Sequence, residues 1–186
     1  MGNLYIGLFH FPMRSRTGEI VATSTTAVDV HDIARTARTY GVRRYFVVTP
    51  LPSQQEISWR IRGFWTEERA DAESRRAEAL EIVTVAADLE ETLAEIEAEE
   101  GMAPLLVATS ARRHGKRNVS YAELKEYLQT EDRPVYIIFG TGWGMAEELI
   151  AATDALLPPI RGKSDFNHLS VRAAVAIVLD RVVGEN

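Results

Sequence analysis

Five short stretches of this chain are almost wholly apolar: LYIGLF (4–9), RYFVVT (44–49), EIVTVA (81–86), PLLVAT (104–109) and VYIIF (135–139). None alternates apolar with polar residues. A strand with one face in water shows that alternation, and a strand covered on both faces does not. The segments between them have helical spacing. Val30, Ile33, Ala34 and Ala37 follow the i, i+3, i+4, i+7 rule behind Asp29, which is expected to cap a helix that Gly41 ends. Asp88 is expected to cap a helix running to Gly101, and Ser120 with Glu123 fits a capping box. Residues 53–80 carry the spacing of two helices. A further helix is expected from about Gly144 to Thr153, and a last one in LSVRAAVAIVLDRVV. Strands alternating with helices predict an α/β fold with a parallel sheet, as one domain over residues 1–186.

Composition removes several classes of function. The chain has no cysteine, so disulfides, thiolate metal sites and a cysteine nucleophile are excluded. Its histidines (10, 31, 114 and 168) show no paired metal-ligand spacing. No apolar run approaches the roughly 20 residues of a membrane span. The N-terminus MGNLYIGLFHFPM has no basic residue ahead of its apolar stretch and reads as a core strand, which predicts a cytoplasmic protein. The net charge is −6, so a nucleic-acid partner is not announced by charge as a whole. Basic residues do cluster: Arg14 and Arg16; Arg35, Arg38, Arg43 and Arg44; then Arg112, Arg113, His114, Lys116 and Arg117. Because screening acts over about 8–10 Å, a local basic face can hold a phosphate backbone on an acidic protein. Solvated surface charge is the other reading.

Open parallel sheets bind ligands beyond the carboxyl ends of their strands. The loops expected there include TSARRHGK after residue 108 and GTGWG after 139. The second is bare: Gly140, Gly142 and Gly144 alternate behind an apolar strand. Missing Cβ atoms let main-chain groups approach a small molecule closely, and they also permit a tight turn before a helix. The run GTGWGM places Met145 where a dinucleotide fingerprint needs glycine or alanine, and no Lys-Ser or Lys-Thr directly follows these glycines at P-loop spacing. A polar loop, RGKSDFNH, carries Asp165, Asn167 and His168 and leads through Ser170 into an alanine-rich helix.

Three of these segments resemble the motifs of the SPOUT class of RNA methyltransferases. IIFGTGWG is similar to the strand-to-glycine turn of that class. PPIRGKSDFNHLSVRAAVAI is similar to its last motif, an Ile-Pro-type turn running through S-L-N-V-S into an Ala-rich helix. DVHDIARTARTYGVRRYFVV is similar to the first motif of the ribose-methylating branch, with Arg35 on the motif arginine and Asp29 in place of the usual Asn. The resemblance implies a parallel α/β domain whose C-terminal part ties a deep trefoil knot around S-adenosylmethionine. It implies methyl transfer to a ribose 2′-OH or a base nitrogen of tRNA or rRNA, by a homodimer.

The same resemblance assigns roles to residues. Cofactor contacts are expected from Thr109, Gly140, Thr141, Gly142, Trp143, Pro159, Ile160, Asn167, His168, Leu169 and Ser170. Arg35 is expected at the acceptor; its guanidinium is a poor base, with a pKa above about 12, so positioning a phosphate is its physical role. Asp29 is either a hydrogen-bond partner or base, or the helix cap. Asp165 is the expected base for a purine nitrogen. His31 and Asp32, one turn before Arg35, are expected to face the same cleft. Trp143 either stacks on a ring or packs inside. Arg14, Arg16, Arg38, Arg112, Arg113, Lys116 and Arg117 are expected on the RNA backbone. No metal is expected. The competing reading is a non-catalytic S-adenosylmethionine- or nucleotide-binding α/β module working with a partner.

Overall fold

The computed structural model describes residues 1–68, 75–112, 114–115 and 118–185. Six parallel strands form one sheet: β1 (Leu4–Phe9), β4 (Arg44–Val48), β5 (Val83–Ala86), β6 (Leu105–Ala108), β7 (Val135–Gly140) and β8 (Ala155–Leu156), in the order β5-β4-β1-β7-β6-β8. A small antiparallel hairpin, β2 (Met13–Arg14) with β3 (Ile20–Val21), rises from the end of β1. Between the strands lie α1 (Ala27–Thr39), α2 (Pro52–Gly63), a π-helical turn (Phe64–Glu68), α3 (Arg75–Leu80), α4 (Leu89–Glu100), α5 (Tyr121–Thr130), α6 (Glu147–Ala151) and α7 (Val171–Val183). Among the described residues no helix is long and apolar enough to cross a membrane.

The missing alternation has a direct cause. Each central strand feeds two cores. Leu4, Ile6, Leu8, Tyr45, Val47, Val135, Ile137 and Phe139 pack on one face with Val30, Ile33, Leu124, Val175 and Val178 from α1, α5 and α7. Tyr5, Phe9, Phe46, Val48, Tyr136 and Ile138 pack on the other with Ile96 of α4 and Leu149 and Ile150 of α6. Gly7 breaks the run of side chains in β1, and a Cβ there would lie 2.3 Å from the Tyr136 hydroxyl, so its bareness seats that phenol.

Strand order fixes where a ligand can sit. From β1 the chain moves outward to β4 and β5. From β7 it moves the other way, to β8. The loops therefore part between β1 and β7, the switch point at which open α/β sheets form their crevice.

Two helix boundaries differ from the expectation. Asp29 does not cap α1. Thr26 does, with extended backbone and a hydroxyl that accepts from the Asp29 N–H at 3.2 Å, while Asp29 sits in the first turn. Helix α6 does not begin near Gly144. Gly144 has φ of 100° and Ala146 is extended, because 141–146 is drawn into pairing with the hairpin through a Met13–Met145 bridge. Part of the expected helix pair in 53–80 lies outside the described residues.

Candidate functional site

At the switch point the protein encloses a cavity of about 900 Å³. Three segments build it. The first is the glycine turn beyond β7. The Gly144 N–H donates to the Thr141 carbonyl at 3.0 Å, and Gly142 and Gly144 take positive φ, 57° and 100°. The turn is laced to the hairpin: Arg14 N–H donates to the Gly144 carbonyl at 2.8 Å, and Ala146 N–H to the Pro12 carbonyl at 3.0 Å. The Thr141 hydroxyl meets that of Thr23 and donates to the Phe9 carbonyl at 3.2 Å. Gly140 is bare for a different reason. A Cβ there would come within 2.6 Å of Met145 Cγ and 3.2 Å of Met13 Sδ, so packing under the turn forbids it.

The second segment is the loop after β6. Thr109 anchors it, N–H and hydroxyl both donating to the Ile138 carbonyl at 3.1 and 3.0 Å. The third segment leaves β8 and runs to α7. Tyr121 donates to the Pro158 carbonyl at 3.1 Å, and Asn167 Nδ2 to the Ala111 carbonyl at 2.9 Å, which ties this segment to the second. Ser170 caps α7, accepting from the Ala173 N–H at 3.3 Å.

The cavity wall takes in Thr109, Gly140, Thr141, Gly142, Trp143, Ile160, Asn167, His168, Leu169 and Ser170 from the residues expected to touch a cofactor. Pro159 is not on the wall; its neighbours Pro158 and Ile160 are. Trp143 lies at the rim, 49% exposed, and is therefore not an interior packing residue. Arg14 and Arg112 line the cavity, and Arg16 and Arg38 do not. Arg38 pairs with Glu78 at 3.1 Å. Arg113, Lys116 and Arg117 lie outside the described residues.

The acids and Arg35 fall differently from expectation. Asp29 is on the wall and buried. Its Oδ1 accepts from Arg172 at 2.8 Å and its Oδ2 from the Thr26 hydroxyl at 2.6 Å. Arg172 also lies 3.4 Å from Asp32. Arg35 and Asp165 are exposed and are not on the wall. Residues at i and i+6 lie about 120° apart around a helix, so with Asp29 on the wall Arg35 is turned toward solvent. His31 does not face the cleft. It packs edge-on to Trp65 at 5.8 Å, and burial, with Arg76 nearby, lowers its pKa. Buried His10, at the end of β1, has its pKa lowered to about 4 by burial, partly opposed by Asp29.

Sequence reasoning missed Arg172, Ser110, His114 and Glu147, all of which line the cavity. Ser110 and His114 stand in TSARRHGK, a loop expected at a ligand-binding strand end but with only its basic residues and Thr109 assigned roles. Their position just beyond a strand was the available signal.

The wall suits a nucleoside carrying a charged side arm. Phe139, Ile160, Leu169 and Val178 give an apolar surface for a base, hydroxyls and main-chain groups surround it, and the Asp29–Arg172 ion pair adds charge to one side. The volume falls within the roughly 300–1,000 Å³ usual for ligand cavities. A parallel α/β sheet with such a cavity at its switch point defines a nucleotide-type ligand binder. The structure is similar to the SpoU methyltransferase AviRb from Streptomyces viridochromogenes in complex with AdoMet, with TM-score 0.60 and 16% identity, covering 97% of this chain and 57% of that one. At that identity the likeness is one of fold. A family model described as SAM-dependent RNA methyltransferase matches residues 3–184, and the chain belongs to that family. Its cofactor is S-adenosylmethionine and its reaction is methyl transfer to RNA, which sets aside the non-catalytic module. An uncharacterised protein of Aquifex aeolicus (strain VF5) is 42% identical over 99% of this chain and 90% of its own length. A tRNA (guanine-N(1)-)-methyltransferase of Oleidesulfovibrio alaskensis is 36% identical over 98% of this chain, which spans only 42% of that relative's length.

Proposed function

We propose that this chain methylates tRNA, at a ribose 2′-oxygen or a base nitrogen. The observation that carries the proposal is the cavity, built where β1 and β7 part and walled by the glycine turn and the segment leading to α7. The choice of tRNA is supported by the relative named for that substrate. Most of that relative lies outside the match, so its guanine-N1 reaction is not carried over.

Bound S-adenosylmethionine supplies an electrophilic methyl group. The chain's own residues would do the rest. Main-chain groups of 140–144, with Thr109, Ile160 and residues 167–170, would hold the cofactor. Arg112, at the wall, would take RNA phosphate, helped by Arg16, Arg113, Lys116 and Arg117; Arg14 and Arg38 are less available because Glu147 and Glu78 hold them. In this reading the segment from β8 to α7 threads the loop after β6 as a trefoil knot, supported by the Asn167–Ala111 tie. A homodimer would bring the exposed Arg35 of a second copy to the acceptor phosphate.

Tritium transfer from labelled S-adenosylmethionine, using tRNA and rRNA from a deletion strain, tests the proposal. Label entering tRNA at the nucleoside that loses its methyl group in that strain is expected. Label confined to rRNA would overturn the choice of substrate. Light scattering of the purified chain is expected to give twice the monomer mass.

A further inference from the structure

The loop after β6 and helix α6 meet across the cavity wall in a hydrogen-bonded series. The Ser110 hydroxyl lies 2.9 Å from His114 Nε2, and His114 Nδ1 lies 3.2 Å from Glu147 Oε2. Arg14 donates to the other Glu147 oxygen at 3.3 Å. All four residues line the cavity. Ser110 also accepts from the Arg112 N–H at 3.1 Å, which fixes its oxygen.

We propose that His114 is the general base of methyl transfer, reached through the hydroxyl of Ser110, with Glu147 and Arg14 as positioning residues. This rests on the methyltransferase reading of the cavity. A carboxylate at Nδ1 selects the tautomer with the proton on that nitrogen, leaving the Nε2 lone pair to accept. The same carboxylate stabilises the imidazolium once it forms. Other groups on the wall are poorly placed for the task. Asp29 has both oxygens engaged, by Arg172 and Thr26. Glu147 is shared between His114 and Arg14. Guanidinium groups stay protonated. The ring of His168 is exposed and meets that of Phe166 at 5.4 Å.

The step balances. A lone pair on the RNA acceptor oxygen or nitrogen forms the bond to the methyl carbon. The carbon–sulfur bond breaks with its electrons on sulfur, which becomes a neutral thioether. The acceptor's proton passes to the Ser110 oxygen as the serine proton passes to His114 Nε2. The imidazolium later releases its proton to water. The positive charge lost at sulfur thus reappears on the ring, opposite Glu147, with Arg14 on the far oxygen of Glu147 and Arg112 on the ring's own loop as the neighbouring charges.

His114→Asn and Glu147→Gln test the proposal, each followed by single-turnover kinetics, calorimetry with S-adenosylmethionine, and ring nitrogen-15 NMR of the protein alone. His114→Asn is expected to slow methylation by about 100- to 10,000-fold, the usual range for general acid–base catalysis, with cofactor affinity kept within threefold. Glu147→Gln should lower the rate and move the acidic limb of the pH–rate profile to lower pH. Ring nitrogen shifts should report the Nδ1–H form in the parent and a mixture in Glu147→Gln. Ser110→Ala should slow the reaction at least tenfold. A His114→Asn protein of parental rate, or one that loses rate only because cofactor no longer binds, would overturn the assignment. So would an Nε2–H ring in the parent. A parent that methylates no RNA at all would instead overturn the function on which the inference stands.

Discussion

Single residues here often serve two demands, and one is legible in sequence while the other is not. The alternation of glycines from 140 to 144 points to a ligand turn. Yet Gly140 is bare because of Met13 and Met145, residues from distant segments, and no local pattern reveals that. His10 is similar. It ends an apolar run, but its burial comes from a hairpin and a helix that fold over it. Its Nδ1 meets the Thr23 hydroxyl at 3.0 Å. With a folded pKa of about 4 against an ordinary 6.5, the unfolded chain binds more protons between those values. The stability this neutral ring preserves is complete above pH 6.5 and is lost as pH falls toward 4. The loss amounts to about 3 kcal/mol by linkage. Urea unfolding at pH 7 and pH 4.5 should show that fall in the parent, and His10→Gln should lack this component of it.

At the level of elements, most of the molecule could be read in advance. The five longer strands followed from apolar runs, the α5 cap from Ser120 and Glu123, and the α4 cap from Asp88, because each signal is local; the two-residue strands β2, β3 and β8 are too short to leave such a signal. The start of α6 could not be read, since a hairpin more than a hundred residues earlier ties down the turn at 141–144 and the extended Met145–Ala146 step behind it. The pairing of α1 with α7 was equally hidden. There Arg172 reaches across to Asp29 and Asp32, and the Asp29 side chain is 11% exposed against 38% for Arg172. Removing the cation would leave a nearly buried carboxylate with one hydroxyl partner. Breaking a fully buried pair costs about 3–5 kcal/mol; the exposure of Arg172 reduces the expectation to about 1–3 kcal/mol. Arg172→Met should lower stability by that amount in urea unfolding. Asp29→Asn with Arg172→Met should recover part of it, giving a non-zero coupling in the double-mutant cycle.

For the whole molecule, the cavity is a junction of three segments held by few direct ties, among them Asn167 to Ala111 and Tyr121 to Pro158. A ligand gripping all three stabilises the native state alone. At a hundredfold excess over its Kd, S-adenosylmethionine should add about 2.7 kcal/mol, which raises Tm by roughly 5–10 °C in a chain of this size. NAD should raise it by less than 1 °C. Equal shifts with both ligands, or none with either, would mean that this cavity does not select the methionine-bearing nucleoside. Site membership was legible for the two segments carrying glycines and the S-D-F-N-H run. It was illegible for His114, because its place in a basic run signals charge, while its partners Ser110 and Glu147 come together only in the fold.

The place of β7 has a consequence for biosynthesis. Leu4 pairs with Val135 and Phe9 with Gly140, so the central strand of the sheet receives its second neighbour late in translation. Until the ribosome has released that stretch, a fully apolar β1 shows one open edge to solvent or to a holdase. A chain interrupted before β7 therefore keeps an unpaired apolar edge on β1, which invites pairing with other chains.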